Sequence, residues 1–162
     1  MTPDRMSGLR LRAAVVADGA EICAVYLASR RDALPYLPEL HSDEAMLRWI
    51  MDGLLPNSIV RIAEADGRIA GFLALKSTEI DHLYVHPNYY RRGVGRQLLA
   101  EARALSPERL HLFTFQRNSR ARALYEAHGF VAIDFNDGSR NEEREPDVKY
   151  VWTRTSIAAP RP

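Results

Sequence analysis

This sequence has only one cysteine, no long apolar run and almost no surplus of charge of either sign. Its single cysteine, Cys23, excludes an intrachain disulfide, and the apolar helical pattern around it predicts a small core residue. No stretch of about 18 apolar residues is present to span a bilayer. Arg5, Arg10 and Arg12 interrupt any secretory pattern, so we expect a cytoplasmic protein that binds no membrane.

The near balance of charge argues against partners that a strong field would attract. Lys and Arg total 22 against 21 Asp and Glu, so we expect no nucleic-acid binding, and any anion site must be local. The five histidines lack the carboxylate or cysteine spacing of a metal site, and no Gly-x-Ser-x-Gly elbow occurs. We therefore expect neither a metal nor serine-hydrolase chemistry.

The order of predicted elements favours one mixed α/β domain over residues 1–162. The pattern is β-α-α-β-β-β-α-β-α-β-β, with an antiparallel beginning and one crossover between parallel strands in the middle. A hairpin is predicted at Asp66-Gly67. The other predicted elements are strands over 9–18, 79–87, 109–115, 130–135 and 148–154 and helices over 20–31, 42–51, 93–105 and 118–128.

A glycine loop between a predicted strand and a predicted helix is the clearest candidate for a ligand site. In YYRRGVGRQLL, Gly93 and Gly95 lie one residue apart, with arginines on both sides. The unpaired first amides of a helix and its dipole favour an anion such as a pyrophosphate. Two nucleotide motifs fail here, because a dinucleotide fingerprint needs glycine at Leu98 and a P-loop needs Lys-Ser/Thr at Arg96-Gln97.

Two motifs together make the chain resemble the GNAT superfamily of acetyl-CoA-dependent N-acetyltransferases. LYVHPNYYRRGVGRQLL resembles the signature Gln/Arg-x-x-Gly-x-Gly/Ala, with Tyr90 in place of the first Gln or Arg. NSRARALYEAHGF, residues 118–130, resembles the downstream motif Asn-x-x-Ala-x-x-x-Tyr-Glu-x-x-Gly-Phe. The resemblance covers residues 58–130 well. It implies acetyl-CoA as co-substrate and a central, twisted, mostly antiparallel sheet with one splayed parallel pair and flanking helices.

The resemblance also implies roles in cofactor binding. The amides of the loop 91–96 would cradle the pyrophosphate, strand residues 83–85 would lie beside the pantetheine arm, and Asn118 would bond that arm. A backbone N–H near Tyr84 or Val85 would polarise the thioester carbonyl. The implied cofactor-binding residues are Leu83, Tyr84, Val85, Arg91, Arg92, Gly93, Val94, Gly95, Arg96, Asn118 and Tyr125.

Tyr125 is the implied general acid, because a phenol with a pKa of about 10 is protonated at neutral pH and can donate to a leaving thiolate. The alternative is a core aromatic that packs beside Phe130. Glu79 begins a strand where the histone-acetylating branch of the family places its glutamate, and it is the candidate base, with Asp81 on the same strand face as the second choice. Both could instead be strand-edge charges in an enzyme without a dedicated base.

Two segments would wall the acceptor site in this family, namely residues 34–44 and the acidic loop before the last strand. Acidic residues suit a cationic amine, whereas internally paired charges on a solvated loop are the alternative; the acids are Glu142, Glu143, Glu145 and Asp147. A small primary amine is favoured as acceptor, and a peptide or protein N-terminus stays open. So do a non-catalytic acyl-CoA sensor and a homodimer formed through an exposed edge of the last strand.

Overall fold

The computed structural model describes residues 8–155, and seven strands in that range form one sheet. The strand order is β1-β2-β3-β4-β5-β7-β6. The two ends of the predicted domain, residues 1 and 162, lie outside the described residues. The strands are β1 Arg10–Ala13, β2 Ile59–Ala65, β3 Arg68–Lys76, β4 Glu79–Val85, β5 Arg109–Phe115, β6 Val131–Asn136 and β7 Asp147–Thr153.

The helices that flank the sheet are α1 Gly19–Ala33, α2 Asp43–Trp49, α3 Val94–Leu105 and α4 Ser119–Ala127. The Ser42 hydroxyl accepts the Ala45 N–H at 3.1 Å at the start of α2, and the Asn118 side chain accepts the Ala121 N–H at 3.2 Å at the start of α4. These side chains satisfy amides that have no partner within the first helical turn. Gly129, with a φ of 88°, follows the end of α4. No helix within residues 8–155 is long and apolar enough to cross a membrane.

β4 and β5 are parallel neighbours that stay together only at their beginnings. Glu79 of β4 is in register with His111 of β5, and the His111 N–H donates to the Thr78 carbonyl at 2.9 Å. Past this point no register pair joins the two strands, although β4 runs on to Val85 and β5 to Phe115. A gap therefore opens toward their carboxyl ends. This confirms the expected mostly antiparallel sheet with a splayed parallel pair.

Buried apolar side chains on both faces of the sheet hold a helix layer on each side. One core lies against α3 and α4, and it includes Leu98, Leu99, Leu112, Tyr150 and Trp152. The other lies against α1 and the segment that follows α2, and it includes Ile22, Ile50, Ile62 and Phe72. Each such side chain contributes roughly 1.5–3 kcal/mol on burial. Both layers therefore fix β4 and β5 where the gap opens.

Two predicted elements differ most from the structure at their ends. The first strand, predicted over 9–18, gives way to a 3-10 turn, Val16–Asp18. The cause is local, because the Asp18 carboxylate accepts the Val15 N–H at 2.8 Å and so turns the chain. The second helix does not end near residue 51, since it continues through a π-helical turn, Ile50–Leu54.

The prediction that the last strand forms an exposed edge is wrong. β7 lies inside the sheet, where Tyr150 is in register with Leu112 of β5 on one side and with Ala132 of β6 on the other. The physical reason is core burial, because every second side chain of β7 completes the core against α3 and α4: Val148, Tyr150 and Trp152. The edge beside β7 belongs to β6, so the argument for a dimer through β7 fails.

Candidate active site

A cavity of about 970 Å³ opens where β4 and β5 separate. The first turn of α3 closes one end, α4 forms one wall, and α1 with the loop between β6 and β7 forms the opposite wall. Its volume lies at the upper end of the range of small-molecule and cofactor sites. The structure brings all but one of the predicted cofactor residues to it: Leu83, Tyr84, Val85, Arg91, Gly93, Val94, Gly95, Arg96, Asn118 and Tyr125.

The glycine loop presents the N-terminus of α3 to this cavity. Gly93 is the N-cap residue, with φ 80° and ψ 11°, a left-handed conformation that favours glycine. The Gln97 N–H donates to the Gly93 carbonyl at 3.0 Å. By helix geometry, the Val94 and Gly95 amides, which precede Gln97 in the first turn, have no acceptor within α3. This end of the cavity therefore suits an anion such as a pyrophosphate.

Gly95 has a packing role that the motif alone does not reveal. A Cβ at Gly95 would lie 3.1 Å from Cδ2 of Leu124, so its absence lets α3 approach α4. Gly71 of β3 does the same beneath the site, since a Cβ there would lie 2.8 Å from the Tyr84 carbonyl and 2.9 Å from Cγ1 of Val94. Sequence reasoning missed Gly71, because nothing in its own strand pattern indicates the close approach.

Arg92 is the predicted cofactor residue that does not line the cavity. Its guanidinium lies 3.7 Å from the Asp66 carboxylate and over the Tyr89 ring at 5.1 Å. Tyr90, which replaces the polar first residue of the signature, lines the cavity and carries the Arg120 guanidinium over its ring at 3.9 Å. Arg120 also lines the cavity, so a residue of α4 supplies positive charge near the position where the signature has Gln or Arg.

Backbone amides of β4 point into the gap. His86 donates its N–H to the Ala70 carbonyl of β3 at 2.8 Å. Successive residues of a strand direct their N–H groups to opposite edges, so the N–H groups of Leu83 and Val85 face β5, which has moved away. This narrows the predicted oxyanion donor from Tyr84 or Val85 to Val85. Asn118 uses its side-chain oxygen for the α4 cap, which leaves its Nδ2 as a donor for a ligand.

Tyr125 is both a core aromatic residue and part of the cavity wall. It is buried, and its ring packs against Phe130 and Tyr150 at centroid distances of 5.6 and 6.0 Å. It also lines the cavity. Burial raises the pKa of Tyr125 well above its ordinary value, so the hydroxyl carries its proton at neutral pH.

Alkaline pH should destabilise the protein through two tyrosines whose pKa the fold raises. Burial raises the pKa of Tyr84 and Tyr125 above the ordinary value, so the folded state holds these protons more tightly than the unfolded chain. Their contribution to stability is present below about pH 10 and is lost as the pH rises toward the folded values. Thermal melts from about pH 8 to 11 should show the midpoint falling above about pH 10, less steeply in Tyr84→Phe. An equal fall in that variant would contradict this assignment.

The structure separates the two predicted bases. Glu79 lies at the joined end of β4 and β5, with its carboxylate 3.9 Å from Nε2 of His111, and it does not line the cavity. Asp81 and His82 do line it, and the Asp81 carboxylate lies 3.7 Å from Nε2 of His82. Burial lowers the pKa of His82, with an opposing effect of Asp81, so the imidazole is neutral at pH 7. Sequence reasoning considered His82 only as a metal ligand, and the neutral imidazole at the cavity wall is a further candidate base.

Side-chain contacts fasten the acidic loop, residues 137–146, to α1 and to the segment between α1 and α2. Arg30 of α1 donates to Glu143 and to the Tyr26 hydroxyl, and His41 lies 3.0 Å from Glu142. Arg30 and Glu143 line the main cavity and also a neighbouring one of about 280 Å³. Glu142 and Glu143 are thus paired with residues far away in sequence rather than within the loop. These contacts place the loop as a wall of the candidate site.

Comparison with known proteins agrees with this geometry. The acetyltransferase (GNAT) domain family matches residues 56–132. The chain is 30% identical to spermidine N(1)-acetyltransferase of Thermoplasma acidophilum over 62% of this chain and 75% of that protein. It is 30% identical to peptidyl-lysine N-acetyltransferase YiaC of Escherichia coli over 52% of this chain, and the match spans only 58% of that relative. The solved structure of PaiA N-acetyltransferase from Thermoplasma acidophilum in complex with coenzyme A has a TM-score of 0.70 at 22% identity, covering 90% of this chain and 98% of that one.

The fold and these matches define an acyltransferase that uses acetyl-CoA as co-substrate. The chain belongs to the GNAT superfamily of N-acetyltransferases, as the two sequence motifs imply. Its own residues fit that co-substrate, since the α3 amides suit a pyrophosphate and the gap beside β4 suits an extended arm that carries amides.

Proposed function

We propose that this protein transfers the acetyl group of acetyl-CoA to a small primary amine, by direct attack in a ternary complex. The observation that carries the proposal is the gap between β4 and β5. It joins the anion-binding end of α3 to the wall formed by α1 and the acidic loop. An amine can therefore reach a thioester in the gap from the α1 side. Direct transfer requires this access, because the amine must contact the thioester carbon while the cofactor is bound.

Residues on three elements would hold and polarise the thioester. The first turn of α3 would bind the pyrophosphate, with Arg91 and Arg120 at the same end of the cavity. The Val85 N–H would donate to the carbonyl oxygen as negative charge develops there. Asn118 would donate from Nδ2 to an amide of the pantetheine arm. Each contact fixes the acetyl group before the amine attacks.

Two side chains would move the protons. The amine nitrogen bonds to the acetyl carbon, the bond from that carbon to sulfur breaks, and the Tyr125 hydroxyl donates its proton to the leaving sulfur. His82, rather than Glu79, would accept a proton from the amine, and the Asp81 carboxylate 3.7 Å away would stabilise the imidazolium. The acceptor enters as an ammonium and loses two protons: one passes through His82 to solvent, and the other replaces the proton that Tyr125 gives to the sulfur. The products are therefore an N-acetyl amine, free CoA thiol and one proton in solvent.

Two observations support a small acceptor over a polypeptide. The contacts of Glu142 with His41 and of Glu143 with Arg30 fasten the loop against the α1 side, so one wall of the cavity is closed. The relative from Thermoplasma acidophilum carries the name of a spermidine acetyltransferase, and a polyamine would suit the acidic loop. The name of YiaC, a peptidyl-lysine acetyltransferase, supports the competing acceptor, a lysine side chain.

A thermal melt followed by a turnover assay tests the proposal. Acetyl-CoA at about 100 times its dissociation constant should stabilise the native state by about 2.7 kcal/mol and raise the midpoint by several degrees. Thiol release should then depend on one of a panel of amines: spermidine, aliphatic monoamines, amino acids and lysine peptides. A midpoint shift without turnover on any amine would replace the enzyme by an acyl-CoA sensor. Turnover on lysine peptides alone would replace the small acceptor.

A further inference from the structure

Three of the four acidic residues at the end of the β6–β7 connection have a cationic or ionisable partner. Glu142 lies 3.0 Å from Nε2 of His41, and Glu145 accepts two hydrogen bonds from Arg117 at 2.7 and 2.9 Å. Glu143 accepts from Arg30, and both side chains are largely buried. These carboxylates are occupied in fastening the loop. The fourth acid, Asp147, is held differently.

Asp147 begins β7 and lines the main cavity. Its Oδ2 accepts from Nδ2 of Asn141 at 3.2 Å. Its other oxygen, Oδ1, is buried, and within residues 8–155 it has no hydrogen-bond partner. A buried oxygen without a donor costs free energy, and native proteins rarely leave one so unless a ligand or water supplies the donor.

The strand pattern places Asp147 on the acceptor side of the sheet. Val148, Tyr150 and Trp152 are buried in the core against α3 and α4. Residues that alternate with them face the opposite way, so Asp147 faces the side that carries α1. The cavity residues contributed by α1 are on that same side. Asp147 is thus a carboxylate with a vacant acceptor atom where the proposed amine would enter.

We propose that Oδ1 of Asp147 binds an ammonium group of the acceptor, which makes an aliphatic amine, protonated at neutral pH, the preferred substrate class. The inference rests on the proposed function for the reaction, although the binding site itself does not. An ammonium donates up to three hydrogen bonds, and a bond between two charged groups is about twice as strong as a neutral one. Weakly basic aromatic amines, which are neutral at pH 7, gain no such bond.

Asp147→Asn removes the charge and keeps the shape. Putrescine and propylamine are the charged probes, aniline is the neutral probe, and Asp137→Asn is the matched control. Asp137 lies at the other end of the β6–β7 loop, is exposed, accepts the Ser139 N–H at 3.0 Å and does not line the cavity. In Asp147→Asn we expect KM for putrescine to rise about 10- to 100-fold, while KM for aniline and the acetyl-CoA melt shift stay within about twofold. If KM rises for putrescine alone, Asp147 binds the ammonium group at the far end of the acceptor. If KM rises for both putrescine and propylamine, Asp147 binds the nitrogen that is acetylated.

Two further measurements distinguish a role of Asp147 in binding the amine from a structural role and from a failure of the proposed reaction. The melting midpoint of Asp147→Asn should stay equal or rise, because the carboxylate that is replaced has no cationic partner within residues 8–155. A lowered midpoint with equal losses for aniline and putrescine would assign a structural role and overturn the proposal. Calorimetry of putrescine binding to the CoA-saturated protein reads the site without turnover. Unchanged putrescine affinity in Asp147→Asn overturns this inference alone, whereas binding without acetylation overturns the proposed function alone.

Discussion

Replacing Tyr125 by phenylalanine should lower kcat by about 100-fold or more and leave the dissociation constant of acetyl-CoA within about twofold. A positioned general acid typically contributes a factor of about 100 to 10,000. The hydroxyl is the atom removed, and the ring that packs against Phe130 and Tyr150 is kept. Initial rates of thiol release, with the cofactor affinity measured by calorimetry, check the prediction.

Tyr150→Phe is the matched control for that experiment. Tyr150 is a second buried tyrosine of the same core, but its hydroxyl is bonded to Glu126 and to Nε of Arg122, and it does not line the cavity. Its loss should lower the melting midpoint and leave kcat nearly unchanged. If Tyr125→Phe kept full turnover, Tyr125 would be a core aromatic only, and another group would have to protonate the leaving sulfur.

Gly93→Ala should raise the dissociation constant of acetyl-CoA at least about tenfold. Gly93 holds a φ of 80°, where an alanine is strained by roughly 1–2 kcal/mol, and its new Cβ would lie 3.2 Å from Nη2 of Arg96. Relief of this strain moves the amides that we assign to the pyrophosphate. Melts and calorimetry with acetyl-CoA measure both the lost stability and the lost affinity.

Gly67→Ala carries the same backbone strain at a distance from the site. Gly67 has a φ of 73° in the turn between β2 and β3, and a Cβ there would meet no atom within 4 Å. This variant should lose stability and keep the acetyl-CoA affinity of the wild type. Equal affinities in Gly67→Ala and Gly93→Ala would mean that the α3 N-terminus does not bind the cofactor.

The parts of the site that lie close together in sequence could be predicted from it. The strand 109–115 is observed with those bounds, because RLHLFTF is β-rich and is flanked by turn-forming residues. Gly93 follows from the loop spacing, since only glycine adopts its φ without strain. The gap between β4 and β5 follows from the family motifs, which include the strand, loop and helix together.

Features that depend on distant partners could not be predicted. Arg92 turned out to face Asp66 of the β2–β3 turn rather than the cavity, and Arg120 supplies charge beside Tyr90 from another helix. The unpaired Oδ1 of Asp147 can be recognised only when the partners of the neighbouring acids are known. One such partner, Arg30, is separated from Glu143 by 113 positions. Sequence spacing carries no information about such long-range pairing.

A crystal structure of the protein with CoA bound tests the central claim most directly. The account predicts the pyrophosphate on the first-turn amides of α3, the pantetheine in the gap beside β4, and the sulfur within about 3 Å of the Tyr125 hydroxyl or one water away from it. A CoA molecule bound elsewhere, or one in the gap whose sulfur points away from Tyr125, would contradict the assignment of this cavity and its general acid.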